Sequence, residues 1–130
     1  MTPEAKVKAS VVKLLKKHNI YYFFPATHGF GRSGVPDIIC CFDGKFLALE
    51  IKAGNNQPTA LQEREMDRIF DAGGSAYVIN EDEVAKLDEW ISLCRANKEH
   101  TKKVMNEHGK LRKKMEAFRA MQKGEDDDRC

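Results

Sequence analysis

Gly34-Val35-Pro36-Asp37-Ile38-Ile39-Cys40-Cys41-Phe42-Asp43-Gly44-Lys45-Phe46-Leu47-Ala48-Leu49-Glu50-Ile51-Lys52 is the stretch that decides the fold. Two β-prone runs, 37–42 and 45–52, are joined by Asp43-Gly44, a dipeptide that marks a tight hairpin turn. Side chains alternate along a strand, so Glu50 and Lys52 share one face while Leu47, Leu49 and Ile51 share the other. A charged pair in an otherwise apolar strand is costly to bury without partners. Asp37 and Glu50 stand equally far from the turn, so the hairpin brings the two carboxylates together.

Downstream, Asn55 and Asn56 mark a loop, and residues 59–72 read as a helix stopped by Gly73-Gly74. Residues 75–79 form a further strand. Asn80 is placed to cap a helix over 81–95, whose Val84, Leu87, Ile91 and Cys94 share a face. Upstream, residues 3–18 read as a helix with Pro3 in its first turn. Its apolar face is expected on Ala5, Ala9, Val12 and Leu15 or Lys16, and Lys6, Lys13 and Lys17 form a basic stripe. Residues 20–24 are a short strand stopped by Pro25, followed by a loop holding Gly29, Gly31 and Gly34.

The order is α-β-β-β-α-β-α, an α/β domain with a central mixed sheet flanked by helices. The passage from 45–52 through 59–72 to 75–79 is a parallel crossover, expected to be right-handed. This domain spans 1–95. Residues 96–130 are an extension, read as a helix over 98–122 with an acidic tail. Val104, Leu111 and Phe118 recur every seven residues there, with His108 and Met115 between them. Gly109 weakens that helix by roughly 1 kcal/mol relative to Ala. Docking on the domain, pairing with another subunit and ordering on DNA are all open to it.

Charge divides the chain the same way. Residues 1–95 carry 12 Lys/Arg and 13 Asp/Glu, 98–123 carry 9 and 3, and 125–128 are wholly acidic. A basic arm suits an anionic partner, although a solvated helix gives the same pattern. Cys40 and Cys41 adjoin and point to opposite faces, so they are badly placed to bridge each other. No CxxC pair accompanies them, Cys94 or Cys130, so zinc is not expected. The thiols read as buried and reduced, which suits a cytoplasmic protein. Lys6, Lys8 and Lys13 interrupt any secretion signal, and no segment approaches the ~20 apolar residues needed to span a bilayer, so no membrane partner is expected.

Two carboxylates beside a lysine supply oxygen ligands for Mg²⁺ or Mn²⁺ and a group to steer a water or offset phosphoryl charge. E-x-K alone is too common to carry that reading, and an edge-of-sheet ion pair is its plain alternative. The context is more specific. Gly34-Val35-Pro36-Asp37, then Leu49-Glu50-Ile51-Lys52, then Thr59-Ala60-Leu61-Gln62 in the next helix resembles the virus-type replication-repair nuclease (VRR-NUC) domain of the PD-(D/E)XK nucleases. The resemblance covers roughly residues 1–80 and leaves the C-terminal segment outside.

That resemblance implies a PD-(D/E)XK restriction-endonuclease-like fold and Mg²⁺- or Mn²⁺-dependent hydrolysis of DNA phosphodiesters. It implies Asp37 and Glu50 as metal ligands, the Ile51 carbonyl as a further one, and Lys52 as the catalytic lysine. It makes Glu4 in the first helix a candidate ligand, against an ordinary first-turn carboxylate favoured by the helix dipole. Gln62 becomes a site residue, against a capping box formed by Thr59-x-x-Gln62. Arg32, Lys6, Lys13 and Lys17 are the expected DNA contacts. His28 has a lesser claim on the scissile phosphate, and His18 reads as a helix C-terminal residue. Tyr21, Tyr22, Phe23 and Trp90 read as core or interface.

Small stand-alone members of this family resemble dimeric junction-resolving enzymes, so a homodimer acting on four-way (Holliday) junctions in replication or repair is the expected function. Flap cleavage or nicking is the alternative within the same chemistry. A non-catalytic DNA-binding module, or a subunit recruiting a helicase or other replication protein, are the alternatives outside it. The family association places such a protein with phage functions in a bacterial cell.

Overall fold

A computed structural model describes residues 1–26, 31–96 and 98–128, with helical backbone alone over 98–108 and 125–128. The order is α1 (Pro3–Lys17), β1 (Tyr21–Phe23), β2 (Ile38–Phe42), β3 (Lys45–Ile51), α2 (Ala60–Asp71), β4 (Ser75–Ile79), α3 (Glu83–Ala96) and α4 (Lys98–Asp128). The sheet runs β1-β2-β3-β4. Its first two pairings are antiparallel and β3–β4 is parallel, as a crossover through α2 requires. Asp43 and Gly44 both take positive φ, 48° and 82°, the conformation a two-residue hairpin turn demands.

Both faces of β3 are covered. Ala48, on the Glu50 face, is fully buried with Ile39 and Ala76, and Met66 and Ile69 pack over them from α2. Leu47, Leu49 and Ile51 on the other face are buried as well. The buried side of α1 is Val7, Val11, Leu14 and Leu15, which corrects the expected Ala5, Ala9 and Val12 face. Both sets have helical spacing. The larger aliphatic side chains remove more surface from water, so their face turns inward and Ala9 is left exposed.

Other expectations shift at their edges. Asn80 caps α3 as expected, its Oδ1 accepting from the Asp82 and Glu83 N–H groups, so the helix begins at Glu83. α4 continues to Asp128, through the acidic run that the sequence reading leaves as a tail. Leu111, Met115 and Phe118 on α4 are exposed. The side chains of Val104 and His108 lie outside the described residues, as do Gly29 and Cys130.

The thiols are not uniformly buried. Cys40 is, and burial first, then neighbouring Cys41, pushes its thiol up to about 12. Cys41 is exposed on the opposite side of β2, and Cys94 is half-buried. Tyr21 and Phe23 are exposed on edge strand β1 and are not core, and Trp90 is partly exposed while packing against Phe42 and Tyr77. The chain divides into two units, Met1–Ser92 and Leu93–Cys130, a division that falls within α3. Among the described residues no helix is long and apolar enough to cross a membrane.

Candidate active site

The hairpin sets the first two groups. Ile38 pairs with Leu49, so Asp37, one residue before β2, comes to lie beside Glu50 and Ile51. Its Oδ2 accepts a 2.8 Å hydrogen bond from the Ile51 N–H. Ile51 therefore enters the site through its main chain, while its side chain is buried on the other face of the sheet. Lys52 is placed by the sheet as well: its N–H donates to the Ile79 carbonyl at 3.0 Å, continuing the parallel ladder past β3.

Glu50 is 2% exposed. Its Oε1 accepts from Gln62 Nε2 at 3.0 Å and lies 3.8 Å from Lys52 Nζ. Its Oε2 is buried with no hydrogen-bond donor among the described residues. Burial first, then the negative charge of Asp37, pushes the Glu50 carboxyl up to about 8. Lys52 opposes that rise and the charge of Glu4 adds slightly to it. A buried carboxyl that still resists ionisation with Lys52 3.8 Å away, and has one oxygen unpartnered among the described residues, can accept further positive charge.

Gln62 closes the expected capping box and also reaches Glu50. Thr59 Oγ1 accepts from the Gln62 N–H at 3.2 Å, and Gln62 Oε1 accepts from the Thr59 N–H at 2.9 Å, closing a capping box at the start of α2. The amide oxygen is thereby fixed, which leaves Nε2 to face Glu50. The loop before Asp37 is pressed onto the same turn. A Cβ at Gly34, whose φ is +83°, would meet the Leu61 carbonyl carbon and oxygen at 2.5 Å and the Gln62 nitrogen at 2.8 Å. Only glycine allows that approach.

A divalent metal is tested against this donor set. Among the described residues no three His, Cys, Asp or Glu side chains gather closely enough to hold one, so Glu4 is not assembled with Asp37 and Glu50 as a third ligand. Two carboxylates and a main-chain group with waters filling the remainder nevertheless suit Mg²⁺, which keeps several waters. The unpartnered Oε2 of Glu50 fits the same reading.

The basic residues separate. Arg32 borders a cleft of about 480 Å³ that also contains Lys8, Phe24, Ser33, Gly34 and Asp37. Lys17 is engaged elsewhere, 3.0 Å from Asp88, which His18 also approaches at 2.6 Å. Lys6 borders a different hollow, between α1 and α3, and Lys13 is exposed. His28 lies outside the described residues. Three residues escaped the sequence reading. Lys8, one turn after Glu4, stands over the Phe24 ring at 4.2 Å in the Asp37 cleft. Glu65, one turn after Gln62, is a second buried carboxylate. Helical spacing from Glu4 and Gln62 was the available signal for both. Asp88 had none, because its partners are some 70 residues away.

Comparison with solved structures supplies the context. A VRR_NUC domain superposes with a TM-score of 0.60 over 68% of this chain and 97% of its own length, at 24% identity. The fold is that of a VRR-NUC domain. A second structure, a VRR_NUC domain protein, superposes with a TM-score of 0.58 over 71% of this chain and 90% of its own, at 20% identity. The mixed four-stranded sheet with its flanking helices is accordingly PD-(D/E)XK-like. No family model and no curated protein matches by sequence. Within the VRR-NUC fold, Asp37, Glu50, Lys52 and Gln62 share one end of the β2–β3 hairpin and the first turn of α2.

Proposed function

We propose that this protein is a Mg²⁺- or Mn²⁺-dependent endonuclease that hydrolyses phosphodiester bonds in branched DNA. The observation that carries the proposal is the buried Glu50 carboxylate, with one oxygen free, set between Asp37, Lys52 and Gln62. A structural ion pair at a sheet edge has no use for a second carboxylate pressed against the first.

Asp37 and Glu50 would hold the cation, with the Ile51 carbonyl beside them, and Glu4 would act on it through its charge. When bound, the cation supplies Lewis-acid stabilisation of phosphoryl charge and makes water a stronger nucleophile. The chain's own residues do the rest. The Ile51 N–H fixes the orientation of Asp37. Gln62 donates to Glu50 Oε1 and so fixes which carboxylate oxygen is left unpartnered among the described residues. Lys52, mostly buried beside Glu50, orients the attacking water and offsets the negative charge that develops on the phosphate. Arg32 and Lys8 border the cleft that admits the strand.

The substrate we favour is the four-way junction, cut by a homodimer whose two matching sites suit a two-fold substrate. The exposed Leu111, Met115 and Phe118 on α4 offer a seam for a second copy or a replication partner. Labelled four-way junction, flap, single-stranded and linear duplex DNA, incubated with Mg²⁺, Mn²⁺ or EDTA, test the proposal. Symmetric metal-dependent cuts confined to the junction are expected. Cuts on a flap alone would move the protein to flap cleavage, and binding of every DNA without cleavage would overturn the nuclease reading.

A further inference from the structure

Glu65 is a buried carboxylate that this chemistry does not use. It sits on α2 one turn beyond Gln62 and is 6% exposed. Its Oε2 lies 3.8 Å from Arg32 Nη1 and its Oε1 3.6 Å from Arg68 Nη1. These are ion-pair separations, longer than hydrogen bonds. Oε1 accepts no hydrogen bond among the described residues. Glu65 therefore attracts both guanidinium groups without occupying their N–H donors, and the Arg32 and Arg68 side chains are 65% and 55% exposed. The cluster carries one net positive charge and presents two exposed guanidinium groups that Glu65 does not hydrogen-bond, the chemistry that planar recognition of a phosphate uses.

Its place matters equally. Arg32 borders the cleft of Asp37 on one side and, on the other, a second hollow shared with Phe46, Glu65, Arg68 and Gly74. The loop carrying Arg32 meets α2 twice: at Gly34, by close approach to Leu61 and Gln62, and at Arg32, by attraction to Glu65. A buried carboxylate is costly to keep, and here it orders an arginine that a loop alone would leave free to move.

We propose that Arg32 and Arg68, held on Glu65, form a phosphate-binding site for the nucleic-acid backbone flanking the cleft, with Glu65 as the positioning residue for Arg32. The site rests on the nuclease reading only in that the strand enters the cleft of Asp37.

The test uses the full chain in EDTA, so that cleavage plays no part, and reads anisotropy of labelled duplex and four-way junction across a salt series. Arg68→Ala and Arg32→Ala are each expected to reduce the slope of log affinity against log salt by about one. In a Glu65→Gln background, Arg32→Ala is expected to change the slope much less, since the arginine is already released. Glu65→Asp, which keeps the charge, is expected to keep the arginine's full effect. An unchanged slope in Arg68→Ala overturns the site, and that exposed position reports even if a Glu65 variant fails to fold. An equal effect of Arg32→Ala in both backgrounds overturns the positioning role. Wild-type protein that binds no DNA overturns the proposal outright. Binding with the expected slopes but no metal-dependent cleavage keeps this site and overturns the nuclease reading.

Discussion

The side-chain amide of Gln62 donates to Glu50 Oε1 at 3.0 Å while its own oxygen is held by the Thr59 N–H at 2.9 Å. One residue thus ties the start of α2 to the buried carboxylate of β3. The helix cap sets which atom of the amide meets Glu50, so local structure and site chemistry share a part.

Replacing Gln62 separates those two functions. Gln62→Ala removes both bonds, and a loss of about 1 kcal/mol of stability is expected from the broken cap, with weaker cleavage beside it. Gln62→Glu keeps an acceptor for the Thr59 N–H but sets a third carboxylate against Glu50. It is expected to retain the cap and still lose cleavage by tenfold or more. Thermal unfolding and single-turnover rates on the two variants report these effects, and equal rates in wild type and Gln62→Glu would remove Gln62 from the site.

Gly34→Ala and Gly44→Ala form a second contrast. Both positions have positive φ, but only at Gly34 does a Cβ collide with backbone. Gly44→Ala is expected to cost about 1–2 kcal/mol for the left-handed conformation alone. Gly34→Ala is expected to cost more, and to slow cleavage by moving the loop that carries Asp37. Denaturant unfolding of both proteins checks the ranking.

Glu50 makes stability depend on pH. Its carboxyl is raised from an ordinary 4.5 to about 8, so the folded protein binds this proton more tightly than the unfolded chain does. The corresponding stability is fully present below about 4.5 and is lost as pH rises through about 8. Metal-free wild type is expected to lose melting temperature across that window. Glu50→Gln should show a flatter profile, and saturating Mg²⁺ or Mn²⁺ should restore wild-type stability at the alkaline end. Melting curves in EDTA and in metal, across pH, give the comparison.

Asp88 has the opposite sign. Its hydrogen bond from His18, then that from Lys17, hold its carboxyl below the usual carboxylate value of 3.8. The stability it contributes is present above that value and is lost as pH falls through the lower folded one. Asp88→Asn is expected to lessen the loss of stability on acidification, as read by acid unfolding of the two proteins.

The hairpin, the crossover and the alignment of Asp37 with Glu50 were legible because each follows from counting residues around one turn. Alternation put Lys52 beside Glu50, and the structure keeps it there. The inward face of α1 was misread because two helical stripes compete and only packing against the sheet chooses between them. Asp88 was invisible for a related reason: a carboxylate's partners depend on residues distant in the chain, whereas helical spacing from Gln62 could have pointed to Glu65. Lys17 was read as one of a basic stripe, and its engagement with Asp88 is a tertiary fact of that kind.

The most direct test of the central claim is single-turnover cleavage of four-way junction DNA by wild type, Asp37→Asn, Glu50→Gln and Lys52→Ala, each titrated with Mg²⁺ and Mn²⁺ and each confirmed to be folded. Wild type is expected to cut only when metal is present, and each variant to lose cleavage by at least a hundredfold while still binding the junction. Cleavage that persists in EDTA, or that survives in Glu50→Gln, would contradict the assignment of Asp37, Glu50 and Lys52 as a metal-dependent nuclease centre.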